Sequence, residues 1–212
     1  MAMSLPKLTP DGLKNGILEM CGHAVEMLRL SRDAFQNYTA GNLQDLSDIG
    51  RHLHHHEKRL TDHLAMQLRE HPMSLGSAEH LAFVPAALER IGDSIEVLAR
   101  CTGALHRDDI PISERGHVEI LTLFGHSIEL VECVSSAIRL GTPEALAPIR
   151  EAGDKFQSYC DEIAVYHQER LIRGVCKPRA SSVFLSMLDS FREIERYVRR
   201  MTVQLTRAFA AT

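Results

Sequence analysis

Residues 81–105 read LAFVPAALERIGDSIEVLARCTGAL. Leu81, Val84, Leu88, Ile91, Ile95, Leu98 and Leu105 recur at helical spacing, which gathers them on one stripe of an α-helix. Residues 187–205 repeat the pattern with Met187, Phe191, Ile194, Val198, Met201 and Leu205. A stripe of this kind is buried by a neighbouring helix at a shallow crossing angle. Gly41, Pro72, the loop at Pro111, Gly141 with Pro143, and the run from Gly174 to Pro178 punctuate the chain. Six helical stretches are predicted between them, at 11–38, 42–70, 77–106, 113–140, 143–173 and 179–209.

The six stretches read as three helices written twice. Gly22-His23-Ala24-Val25-Glu26-Met27 lies against Gly125-His126-Ser127-Ile128-Glu129-Leu130 at an offset of 103. Gly41, Leu46 and Ile49 match Gly141, Leu146 and Ile149 at 100, and Leu88-Glu89-Arg90 matches Ile194-Glu195-Arg196 at 106. Any two amphipathic helices can be superposed, but offsets that keep their order and drift only through loops point to an internal repeat. The expected fold class is therefore all-α, as two tandem antiparallel three-helix bundles, one in residues 1–108 and one in 109–212.

Composition narrows the function. The 212 residues carry 24 basic and 28 acidic side chains, a formal charge of −4, which argues against nucleic acid as a partner. Met1 to Pro10 has no apolar run, and no segment reads as the roughly 20 apolar residues of a membrane helix, so a cytoplasmic protein without membrane insertion is expected. The five cysteines are widely spaced without a Cys-x-x-Cys, as reduced core residues and not as a disulfide frame or zinc site. Histidine is abundant, with 12 residues.

The richest chemistry lies in Ala87-Leu88-Glu89-Arg90-Ile91-Gly92-Asp93. Glu89 and Asp93 stand one turn apart on one face, which Glu96 continues. Carboxylates so spaced repel mildly unless a cation or counter-charge meets them. They could hold a hard or borderline metal ion, or form a solvated acidic face beside Arg90 and Arg100. In the second stretch Glu57 interrupts the stripe Leu53, Leu60, Leu64, among His52, His54, His55, His56 and His63. His52 and His56 share a face, a spacing able to present two imidazoles to one ion, although a histidine run also makes an ordinary polar face. Asp62 is the other acid placed to reach a neighbouring helix. A di-iron carboxylate bundle needs two Glu-x-x-His pairs, and the chain has one, Glu114 with His117, at a helix end. No Gly-x-Ser-x-Gly, Walker A or Gly-x-Gly-x-x-Gly is present.

Leu88-Glu89-Arg90-Ile91-Gly92-Asp93, followed by Ser94-Ile95-Glu96, resembles the Glu-Arg-Ile-Gly-Asp signature of the PhoU phosphate-uptake regulators and the related domains of sodium/phosphate cotransporters. The resemblance, with the repeat, covers nearly the whole chain. It implies a regulatory adaptor of phosphate transport and signalling that is not an enzyme and works by contact with a phosphate transporter subunit or a sensor histidine kinase. It also implies a cytoplasmic protein held at the inner face of the membrane through a transporter. By the same resemblance a divalent or ferric ion, iron or zinc, would bind at Glu89 and Asp93, with Glu57, Asp62 and His56 in support. In the second half Glu195 keeps its place but the aspartate position is Arg199, which repels a cation, so one metal site is expected, in the first bundle. A homodimer through Phe83 and Tyr197 is a further expectation. The alternative is a metal-dependent redox or hydrolytic enzyme built on His52, His56 and Glu57.

Overall fold

The computed structural model describes residues 10–70 and 80–210. Six α-helices stand among the described residues: α1 (Pro10–Gln36), α2 (Ala40–Glu70), α3 (Phe83–Arg107), α4 (Glu114–Leu140), α5 (Ala147–Ile172) and α6 (Pro178–Ala210). Their ends follow local chemistry. Ser113 is the N-cap of α4, its hydroxyl accepting from the Gly116 amide at 3.2 Å. Gly141 closes α4 at φ 69°, a left-handed position that suits glycine. The stretch expected at 143–173 is not one helix. Pro143–Leu146 forms a 3-10 turn and the α-helix restarts at Ala147, because Pro148 has no amide to continue the hydrogen-bond ladder and is tolerated only in a first turn.

Each half is a three-helix bundle: α1, α2 and α3 pack on one another, as do α4, α5 and α6. The halves meet along two seams, α1 against α4 and α3 against α6, so these four form an inner layer with α2 and α5 on its flanks. The connection between α3 and α4, residues 108–113, crosses the expected boundary. The core nonetheless runs through both halves as one cluster, with the rings of Phe35 on α1 and Phe124 on α4 6.2 Å apart across the seam. The third-helix stripe is buried as read: Val84, Leu88, Ile91, Ile95 and Leu98 are all inaccessible, while Leu81 and Leu105 are partly covered.

Two expectations change. By length and hydropathy α4 could cross a membrane, which the hydrophobic pattern alone did not single out; half of that window is buried inside the fold. Phe83 and Tyr197 are half-buried, packing against the core with Arg200 over both rings and Arg196 over Tyr197. The cysteines are all free, but only Cys21 and Cys160 are core residues, and burial pushes each of these two thiols up to about 12. The other three are half-buried.

Candidate functional site

The acidic face of α3 lies against α2, with a cleft of about 270 Å³ between them. Glu89, Asp93 and Glu96 line one wall, and Gly50, Arg51, His54 and His55 line the other. Two close approaches set its width. A Cβ at Gly92 would stand 2.5 Å from Cδ2 of Leu53, and one at Gly50 would stand 2.6 Å from Oε1 of Glu96. The helices fit because those two positions lack side chains.

Glu89 is the more enclosed of the pair, its side chain 21% exposed against 52% for Asp93. Nδ1 of His54 lies 3.2 Å from Oε1 of Glu89. Arg90 donates to Oδ2 of Asp93 at 3.0 Å and stands 3.8 Å from Oε2 of Glu89; the Glu89 charge and the Asp93 hydrogen bond raise its pKa. Arg100 approaches Glu96 at 3.7 Å. The acidic face is thus partly neutralised by arginines of its own helix that are themselves exposed.

The other expected ligands do not join this cleft. Glu57 accepts from the Thr61 hydroxyl at 2.7 Å and is half-buried, so the apolar stripe does not force a carboxylate into the core. Asp62 is exposed and lines no part of the cleft. His56 turns to α1, where its Nε2 is 3.5 Å from Oε2 of Glu19. The histidine that meets Glu89 is His54, two residues away. A step of two turns a helix through roughly 200°, which decides which of five clustered histidines faces α3 only once the angular placement of α2 is known.

At the equivalent place between α5 and α6 the cleft, about 280 Å³, holds an internal cation. Arg199 occupies the position of Asp93. Its Nε and Nη2 donate to Oε1 of Glu195 at 2.9 and 2.8 Å, and Nη1 and Nη2 reach Oδ1 of Asp154 at 3.0 Å. Asp154 corresponds to His54 at the 100-residue offset of the second helix. The charges have therefore changed walls: acid on α3 facing an imidazole on α2, but a guanidinium on α6 facing a carboxylate on α5. Burial raises the Glu195 carboxyl despite Arg199. The alternative acidic pair, Asp189 with Glu193, is bound by Arg192 and Arg196. Spacing along the chain did not mark Asp154; a charge swap against Arg199 at a fixed repeat offset was the signal that could have found it.

Glu89, Asp93 and His54 supply oxygen and nitrogen donors suited to a hard or borderline cation. Among the described residues no three His, Cys, Asp or Glu side chains already gather into a ligand set, so an ion would require Arg90, 61% exposed, to turn outward. The residues fit an ion with that rearrangement; those of the second cleft do not, because the Arg199 guanidinium already pairs its carboxylates and repels a cation.

Fold and site define a tandem helical-bundle protein with an acidic interhelical cleft in its first half and that cleft closed by an ion pair in its second. The PhoU domain family model matches residues 17–102. The chain is similar to PhoU from Pseudomonas aeruginosa, with a TM-score of 0.83 at 17% identity over 95% of this chain and 97% of that one. It is also similar to the phosphate transport system regulatory protein PhoU from Streptococcus pneumoniae, with a TM-score of 0.80 at 11% identity over 93% of each. A PhoU-like protein from Shewanella oneidensis superposes with a TM-score of 0.61 at 12% identity over 94% of this chain and 100% of that one. Comparison with curated protein sequences finds no match. The match to the PhoU domain model falls within the first half, and the chain throughout is similar in fold to the solved PhoU structures.

Proposed function

We propose that the protein is a cytoplasmic regulatory adaptor of phosphate transport and phosphate signalling, acting by protein contact and not by catalysis. Its partner is a phosphate transporter subunit or a sensor histidine kinase, the transporter holding it at the inner face of the membrane. The observation that carries this reading is the α2/α3 cleft, lined by Glu89, Asp93 and His54, inside the segment matched by the PhoU domain model. A divalent or ferric ion, iron or zinc, bound there would replace Arg90 as the counter-charge of the acidic face and alter what that face presents to a partner. One ion site is proposed, in the first half, because Arg199 supplies the counter-charge in the second.

The enzyme alternative needs His52, His56 and Glu57 around one centre. His52 is exposed, His56 faces α1 and Glu57 bonds within its own helix, so nothing assembles them into a catalytic group.

Two measurements test the reading. Phosphate uptake and phosphate-responsive transcription should be misregulated in cells that lack the chain and in cells carrying only Glu89→Gln/Asp93→Asn; unchanged uptake and transcription without the chain would end the adaptor reading. Iron and zinc content of untagged protein should fall in that double variant, and equal content in both would remove the ion from this cleft.

A further inference from the structure

On the side of α2 that meets α1, away from the acidic cleft, His56 lies near a carboxylate, Glu19, and near a second imidazole, His23. Nε2 of His56 lies 3.5 Å from Oε2 of Glu19, and the rings of His56 and His23 have centroids 6.2 Å apart at 49°. Glu19 and His23 are one turn apart on α1 and share a face. The His56 side chain is only 11% exposed, and Nδ1 of His23 is buried without a hydrogen-bond partner. A buried imidazole nitrogen left without a partner is unusual enough to require an occupant or a cause.

The internal repeat provides a control. The equivalents of Glu19, His23 and His56 are Thr122, His126 and Phe156. His126 and Phe156 pack with centroids 6.5 Å apart, so the fold brings these two positions together in either half. Ring packing alone needs one apolar ring and no acid. In the second half the Thr122 hydroxyl bonds back to the Val118 carbonyl of its own helix at 2.9 Å. His126 of the second half also has a carboxylate near, Glu129 of its own helix at 3.5 Å, but no second imidazole; among the described residues the pairing of two imidazoles with a carboxylate at this place belongs to the first half.

We propose that Glu19, His23 and His56 form a second binding site, separate from the α2/α3 cleft, for a divalent transition metal of borderline softness such as zinc. Two imidazole nitrogens and one carboxylate oxygen are the donors of a three-ligand zinc site with an open fourth position. Glu19, 60% exposed, lies toward solvent, so water can take that position. Ligand bonds of roughly 2.0–2.1 Å place donors on one ion about 3.3 Å apart, close to the present Nε2–Oε2 separation. As no three such side chains already converge among the described residues, the site closes when the His23 ring turns to bring a nitrogen to the ion.

The test uses untagged full-length protein titrated calorimetrically with zinc chloride, with cobalt chloride as an optical probe of geometry. Glu19→Gln, His23→Gln and His56→Gln, each made in the Glu89→Gln/Asp93→Asn background so that the cleft contributes no ion, should weaken zinc binding about tenfold or more, by analogy with the cost of losing even an outer-shell partner. Each should also abolish the visible absorption of four-coordinate cobalt. Glu89→Gln/Asp93→Asn should leave that absorption in place. Should a histidine variant fail to fold, Glu19→Gln decides the matter, because Glu19 is exposed and contributes no core packing. Zinc affinity unchanged in Glu19→Gln, or cobalt absorption lost in Glu89→Gln/Asp93→Asn, would overturn the site.

Discussion

Glu119 sits within an apolar run of α4 and is almost fully buried, and Arg170 of α5 meets it with two parallel hydrogen bonds at 2.9 and 2.6 Å. Arg115, one turn before Glu119, adds a third at 3.1 Å. Such a bidentate pair holds two desolvated charges in a fixed geometry, and taking away one partner strands the other. Arg170→Met should therefore cost about 3–5 kcal/mol in urea unfolding, while Glu119→Leu/Arg170→Met should cost much less because no unpaired charge is left inside. A double variant as unstable as the single one would show that the pair contributes more than mutual neutralisation. The same logic explains Arg199, which lies beside a buried Glu195 and whose guanidinium is anchored by Asp154 as well. Sequence spacing alone could pair Glu195 with Arg199, being i and i+4 on one helix; Glu119 with Arg170 required the packing of α4 on α5.

At the scale of helices, the two halves solve the same contact in opposite ways. Leu53 of α2 lies over Gly92 of α3, whereas at the repeat position a Cβ on Gly153 of α5 would meet Oε1 of Glu195 at 2.9 Å and Nη2 of Arg199 at 3.5 Å. An apolar side chain approaches the glycine in one half and a charged pair does so in the other. Gly92→Val should overpack against Leu53 and destabilise by about 1–3 kcal/mol, and Leu53→Ala in the same chain should recover part of that loss. Thermal melts of the two single variants and the double variant measure the coupling; strictly additive losses would mean that the helices do not compete for this space. The break at the 3-10 turn before α5 belongs to this scale too. Pro143 is read as punctuation that opens the stretch, but hydrophobic period alone carries the helix through Pro148.

For the molecule as a whole, the repeat is a symmetry of structure and not a break in the core. The α3/α6 and α1/α4 seams join the halves in one core cluster, with Phe35 of α1 against Phe124 of α4. Separating the halves would expose apolar surface at about 25 cal/mol per Å². The chain should therefore unfold in one transition. Cys21 in α1 and Cys160 in α5 are buried probes, one in each half, and both should become open to thiol labelling at the same urea concentration. Distinct midpoints would show two independently stable units.

The sequence by itself determined the all-helical class, the order of six helices, the twofold repeat and the acidic pair Glu89 and Asp93. These are properties of spacing along the chain: the 3.6-residue period writes apolar stripes and i, i+4 neighbours directly into the residue order. Only the packed structure shows that His54 and not His56 meets Glu89, that His56 faces Glu19 and His23, and that Asp154 joins Glu195 in holding Arg199. Each of those depends on the rotation of one helix about its axis relative to another. Packing in the shared core sets that angle, and no single helix carries it in its own sequence.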